Sequence, residues 1–129
     1  MKKICVVIFL CFLSLTLRAE DEAPEPLIEY LEMAPKFTLN LDKPGHYLVV
    51  NVQLMVEGGD FIEKVKKHMP VLRHELIMLY SGIKSVDLQT TEQREALRLQ
   101  TKKRIKETLD KYANSDGFRD VFFTEFLIN

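Results

Sequence analysis

A dense apolar and β-favouring run, VFFTEFLIN at residues 121–129, constrains the fold more than any other stretch. With a period of two residues, the run has two faces, one with Phe122, Thr124, Phe126 and Ile128, the other with Val121, Phe123, Glu125 and Leu127. Both faces are largely apolar, and an exposed edge strand of that character would promote aggregation. The run is therefore predicted to be a core strand that pairs in the middle of a sheet.

The N-terminal segment has the pattern of an export signal. Lys2 and Lys3 precede the apolar stretch ICVVIFLCFLSLTL, which a small residue, Ala19, follows closely. As a helix, this stretch would be roughly 21 Å long, against about 30 Å for the hydrocarbon core of a bilayer. These features favour a signal peptide at residues 1–19, with a short membrane anchor as the alternative.

Charge and cysteine content narrow the chemistry of the chain. Its 129 residues are enough for one domain, and its formal net charge of −1 is unlike the strongly basic balance of nucleic-acid-binding domains. Both cysteines, Cys5 and Cys11, lie within residues 1–19. Loss of that segment would leave no thiol, and 15 of the 18 basic residues against 19 acidic ones, a net charge of −4.

The remaining sequence divides into a tether and a domain. Residues 20–34 begin with the acidic, proline-containing EDEAPEP and end in a possible edge strand, LIEYLEM. At residues 35–129, the alternating runs KFTLNL and HYLVVNVQLMV flank the turn residues Asp42 to Gly45, which predicts a β-hairpin with a positive φ at Gly45.

Two helical patterns follow the hairpin. In the first, Asp60 is the predicted N-cap, and Pro70 is predicted either to kink the helix or to begin a second segment. In the second, Thr90 and Gln93 form a predicted capping box, and the apolar stripe consists of Leu97, Ile105, Leu109 and Tyr112. The predicted fold is an α+β domain, in the order β-β-α-α-β, with helices on one face of a small antiparallel sheet.

No arrangement of residues indicates an enzyme, a cofactor or a metal site. His68 and His74 are six residues apart, or about 240° around a helix, whereas two ligands of one metal need the same face. Glu125 could be a buried carboxylate, but a sheet edge or a partner interface is the favoured interpretation. The basic cluster at residues 102–106 has carboxylates close by, as in a solvated helix face.

Several stretches, in their order along the chain, resemble the family of the flagellar basal body-associated protein FliL, from about Pro35 to Asn129. They are KFTLNL, HYLVVNVQLMV, HMPVLRHELIMLYSG, TTEQREAL and VFFTEFLIN. The family positions, interpreted as structural, are Phe37, Asn40, Leu41, Tyr47, Leu48, Pro70, Arg73, Thr90, Glu92, Phe123, Thr124 and Phe126. Each stretch alone is weak evidence, whereas the ordered set is specific.

The resemblance implies a domain related in fold to the stomatin and prohibitin family. It would be exported across the inner membrane and lie at the flagellar basal body, either periplasmic or anchored in that membrane. There it would form a homo-oligomeric ring, bind stator proteins of the MotA and MotB type, and support swimming, swarming and chemotaxis without catalysis. The alternative is a soluble periplasmic stomatin-like scaffold or adaptor that is unrelated to flagella.

Overall fold

The computed structural model describes residues 27–129, so the predictions for residues 1–26 lie outside the described residues. Within this part the chain forms β1 (Ile28–Glu32), β2 (Phe37–Asn40), β3 (Tyr47–Glu57), α1 (Gly59–Tyr80), a short 3₁₀ helix (Ser85–Leu88), α2 (Thr91–Tyr112) and β4 (Phe118–Ile128). The predicted α+β class, with a small antiparallel sheet and two helices, is confirmed.

β3 is the central strand of the four-stranded sheet. β4 pairs with residues 48–56 of β3. Along the opposite edge of β3, β1 pairs with residues 53–57 and β2 with residues 47–50. The prediction that the terminal strand pairs centrally is wrong, because β3 is the one strand to which β4 is paired within residues 27–129. Packing against α2, rather than a second strand, covers part of its apolar surface.

A β-bulge in β4 overturns the face assignment that a strict period of two predicts. Asn51 lies opposite Glu125, but the next residue, Val52, lies opposite Phe123, so Thr124 is an extra residue. A second register shift lies nearer the start of the strand. The residues that β4 contributes to the helix-covered side are Phe118, Val121, Phe123, Phe126 and Ile128. Phe123 and Phe126 thus share a face that the simple alternation divides between them.

The predicted hairpin is confirmed. Phe37 lies opposite Val50 in the β2–β3 ladder, and Gly45 has the positive φ that the turn requires, 79°. One face of β3 is fully buried under the helices, with 0% exposure at Leu48, Val50, Val52, Leu54 and Val56. This row forms the centre of the core.

Pro70 does not divide the first helix: α1 continues through it, so the predicted second segment is wrong. Pro70 lies on the exposed side of α1, where water can bind the carbonyl that lacks its usual N–H partner. Val65 and Leu72, one on each side of the proline, are fully buried. Their burial against the sheet holds the helix together across the interruption.

The predicted N-cap of α1 is also wrong. The cap is Gly58, whose φ of 101° turns the chain directly out of β3 and whose N–H donates to the carbonyl of Leu27 at 2.8 Å. Asp60 lies in the first turn instead. A carboxylate there still interacts favourably with the positive end of the helix dipole.

The predicted capping box of α2 is confirmed. Thr90 Oγ1 accepts a bond from the Gln93 N–H at 3.1 Å, and Gln93 Oε1 accepts one from the Thr90 N–H at 3.0 Å. The stripe members Leu97, Ile105 and Leu109 are buried. Tyr112 departs from the prediction, since it is 48% exposed at the end of α2, with its ring 6.2 Å from that of His68.

Candidate interaction site

Two of the family positions, Arg73 on α1 and Phe37 on β2, lie in contact. Arg73 Nη1 donates to the carbonyls of Met33 and Pro35, both at 2.7 Å, and its Cζ lies 4.3 Å from the centre of the Phe37 ring. Tyr80 meets the same ring edge-on at 5.8 Å between ring centres. The cluster fastens the β1–β2 connection to α1, which is a structural role.

A second group of family positions lies at the hairpin end of the sheet. Asn40 and Tyr47 are cross-strand neighbours and exposed, whereas Leu41 and Leu48 are buried. Tyr47 also exchanges two backbone hydrogen bonds with Asn129, each 3.0 Å long. The final residue of the chain is therefore tied to the start of β3.

Four further family positions lie apart from one another on the surface. Thr90 caps α2, Glu92 is exposed in the first turn of that helix, and Pro70 is exposed on α1. Thr124 is exposed at the bulge of β4. The structure does not gather these side chains into one cleft.

A groove runs between the start of α2 and the outer edge of β4. Its volume is about 290 Å³, and its lining consists of Thr91, Arg94, Glu95, Arg98, Phe122, Phe123 and Phe126. The Arg94 Cζ lies 4.8 Å from the centre of the Phe126 ring, and the rings of Phe123 and Phe126 are 5.7 Å apart. The groove therefore combines aromatic surface with a guanidinium.

Arg98 organises the charges beside this groove. Its Nη2 lies 2.6 Å from Glu95 Oε1, and its Nη1 lies 2.8 Å from Asp120 Oδ1 and 3.0 Å from the Val121 carbonyl oxygen. The hydrogen bond from Arg98 lowers the pKa of Glu95. Burial acts to raise the pKa of Asp120, but the Val121 N–H, Lys102 and Arg98 together hold it below the ordinary value.

None of the sequence patterns described above singles out Arg94, Arg98 or Asp120. The two arginines are one turn apart on α2, which is a signal for a shared face. Their partners on β4, however, are more than twenty positions further along the chain, as for Arg98 and Asp120. No local pattern connects them.

Glu125 lies at the sheet edge, as the favoured interpretation of the sequence has it. Its Oε2 is 2.5 Å from Lys36 Nζ on the face of the sheet that the helices leave open. Next to it, Asn51 Nδ2 donates to the Glu32 carboxylate, while Asn51 Oδ1 has no hydrogen-bond partner within residues 27–129. This face of the sheet therefore carries an ion pair and a polar contact between side chains of different segments.

Residues 27–129 contain no group of three or more histidine, cysteine, aspartate or glutamate side chains that could hold a metal ion. No helix among them is both long and apolar enough to cross a membrane.

Residues 27–129 form a small α+β domain in which charged and aromatic side chains connect elements and line surface grooves. The chain belongs to the FliL family. The family model described as "Flagellar basal body-associated protein FliL" matches residues 30–128. Over 113 residues the chain is 33% identical to the "Flagellar protein FliL" of Aquifex aeolicus (strain VF5), covering 86% of this chain and 68% of that relative. The resemblance found in the sequence is thereby confirmed.

Proposed function

We propose that this chain supports the rotation of the flagellar motor in swimming, swarming and chemotaxis by binding stator proteins of the MotA and MotB type. The observation that carries the proposal is the extent of the family match, which includes most of β1 and every later element of the fold. A match of that extent supports a role at the basal body, which the family's description names. The role is one of protein binding, with no catalytic step.

The proposed location follows from the N-terminal pattern. Residues 1–19 would direct the domain across the inner membrane, either as a cleaved signal peptide or as a short anchor. The domain would then stand on the periplasmic side and assemble with further copies into a ring around a stator unit. Residues 20–26, acidic and proline-containing, would be the tether between the membrane and β1.

Motility of an in-frame deletion strain tests the proposal. Swimming in liquid and swarming on a viscous surface should decrease, and the full-length gene should restore both. Electron microscopy of the deletion strain should show filaments in normal number, because the proposed role is in rotation rather than in filament assembly. Normal motility under both conditions would contradict the proposal and favour the periplasmic scaffold unrelated to flagella.

A crosslinking experiment addresses the stator partner separately. A photoreactive amino acid at an exposed position of the complemented protein should give an adduct that antibodies against the MotB-type subunit detect. A second variant carries the photoreactive amino acid in place of Lys103, which is highly exposed on the outer side of α2. Its adduct yield is compared with that of the first position. If no surface position gave an adduct with the stator protein, stator binding would be contradicted.

A further inference from the structure

The first half of the outer edge of β4 is closed by hydrogen bonds. The Phe118 N–H donates to the Ser115 carbonyl at 3.0 Å. The Val121 N–H donates to Asp120 Oδ1 at 2.8 Å, and the Val121 carbonyl accepts from Arg98 Nη1 at 3.0 Å. These bonds occupy backbone groups that would otherwise be free to pair with another strand.

The second half of the same edge is open. Tyr47 and Asn129 exchange both backbone bonds, so in an antiparallel ladder Val49 and Leu127 form the next bonded pair. Ile128 and Phe126 lie on either side of Leu127 and form non-bonded pairs with Leu48 and Val50, so their N–H and C=O groups point away from β3. The described hydrogen bonds of residues 27–129 supply no other partner to these groups.

The groove beside the open edge provides places for side chains. A strand added to this edge would lie along the groove, close to the Phe123 and Phe126 rings. Because alternate side chains of an added strand project to the same face, it would direct every second side chain toward these rings. Apolar side chains would bury the part of the two rings that β4 and α2 leave accessible.

The charge balance of the groove favours a carboxylate. Glu95 and Asp120 are both bonded to Arg98, whereas Arg94 has no carboxylate within ion-pair distance among residues 27–129. Arg94 Nε donates to the Leu88 carbonyl at 3.2 Å, which holds the guanidinium over the Phe126 ring. The remaining donors of that guanidinium match a carboxylate well.

We propose that β4 binds an extended segment of a partner protein as an additional strand, through the backbone of Phe126 and Ile128. The segment has apolar residues at alternate positions, over Phe123 and Phe126, and an aspartate or glutamate that pairs with Arg94. This inference rests on the proposed function, since it specifies how such a protein-binding domain holds its partner.

The charges disfavour a second copy of this chain as the occupant. A two-fold pairing of two β4 edges centred on Phe126 would bring the Arg94 side chain, which lies on that ring, close to its own counterpart. It would also place the two α2 helices on the same side of the joined sheet. Like charges at such short range oppose association.

A displayed library of random peptides of about twelve residues, selected on the full chain in detergent micelles, tests the proposal. The expected consensus alternates apolar residues and contains one acidic residue. Arg94→Glu should weaken binding of a selected peptide by about tenfold or more, and a peptide with lysine at the acidic position should recover it. Lys103→Glu, an equal charge reversal on the outer side of α2, should leave binding unchanged.

Amide hydrogen exchange with the same peptide tests the backbone pairing. On saturation, exchange of the Phe126 and Ile128 amides should slow by about tenfold or more, with a smaller effect at Leu127, which already donates to β3. In an added strand, only every second peptide amide faces β4. N-methylation of those amides should abolish binding, whereas N-methylation of the amides between them should not.

Three results would overturn the proposal: no enriched peptides, binding insensitive to Arg94→Glu, or peptide protection away from these amides. Protection that rises with protein concentration in the absence of peptide would show that a second copy occupies the edge. If deletion of the gene impairs motility while peptide selection fails, the proposed function stands and this mode of binding does not. If peptides bind as expected and motility is normal, this mode of binding stands and the proposed function does not.

Discussion

The hydroxyl oxygens of Tyr80 and Thr101 lie 2.8 Å apart inside the core and join the end of α1 to the middle of α2. Thr101 Oγ1 also donates to the Leu97 carbonyl at 2.8 Å, so Tyr80 is the donor toward Thr101. Burial raises the pKa of Tyr80, and the bond to Thr101 offsets part of that effect. Tyr80 is therefore still neutral in the folded protein at a pH near 10.0, where an unperturbed tyrosine ionises.

This bond predicts an alkaline dependence of stability. Because the folded-state pKa of Tyr80 is raised, its contribution is complete below the ordinary value of 10.0 and is lost as the pH rises above it. The slope from one such group is about 1.4 kcal/mol per pH unit. Tyr80→Phe should reduce stability at neutral pH by about 1 kcal/mol and should remove that slope. Urea unfolding measured between neutral pH and pH 11 checks both.

Tyr112→Phe is the matched control, since Tyr112 is half exposed at the end of α2. It should keep the stability of the parent protein at neutral pH, because no buried hydroxyl is removed. Equal slopes for the parent and Tyr80→Phe would mean that Tyr80 does not titrate as its burial requires.

Arg73 is predicted to contribute more to stability than the surface ion pairs. Its Nη1 donates to the Met33 and Pro35 carbonyls while the planar guanidinium lies on the Phe37 ring, and an ammonium group cannot reproduce both contacts equally well. Arg73→Lys should destabilise the domain by about 1–2 kcal/mol and Arg73→Ala by about 2–3 kcal/mol. Arg104→Ala, which breaks a half-exposed pair with Glu75, should cost less than about 1 kcal/mol. Urea unfolding ranks the three variants. An equal loss of unfolding free energy for Arg73→Ala and Arg104→Ala would contradict a special stabilising role of Arg73.

Gly117 is predicted to tolerate no side chain. A Cβ at this position would lie 2.3 Å from the Glu57 carbonyl oxygen and 2.4 Å from Phe61 Cδ1. Gly117→Ala should therefore lower the free energy of unfolding by about 1–3 kcal/mol, as overpacking does. Gly59→Ala, whose Cβ would meet nothing within 4 Å, should change it by less than about 1 kcal/mol. Thermal melting compares the two, and similar melting temperatures would mean that Gly117 has room to move.

Asp120 predicts an acid dependence. Its folded-state pKa is lowered against the effect of burial, so its contribution is complete above the ordinary value of 3.8 and is lost as the pH falls through the lower folded value. Asp120→Asn should be less stable than the parent at neutral pH, and the difference should shrink below pH 3.8. Urea midpoints across this range measure it. A difference that is constant with pH would assign the effect to packing instead of charge.

Much of the fold follows from local patterns. The strict alternation of β3, the turn from Asp42 to Gly45 and the capping box at Thr90 and Gln93 all act over a few residues, and each is present as predicted. The stretches that resemble FliL are likewise local, and the family follows from their order. Short-range sterics and hydrogen bonding are sufficient to determine such features.

The tertiary structure decided what depends on distant partners. The bulge at Thr124 exists in relation to the register of β3, so it shifts Phe123 and Phe126 to one face against their spacing in the sequence. Similarly, α1 passes through Pro70 because buried residues on both sides hold it against the sheet. The same physical reason makes β4 an edge strand beside Arg94: strand partners and helix placement minimise the exposed apolar surface of the whole domain, and no single stretch contains that information.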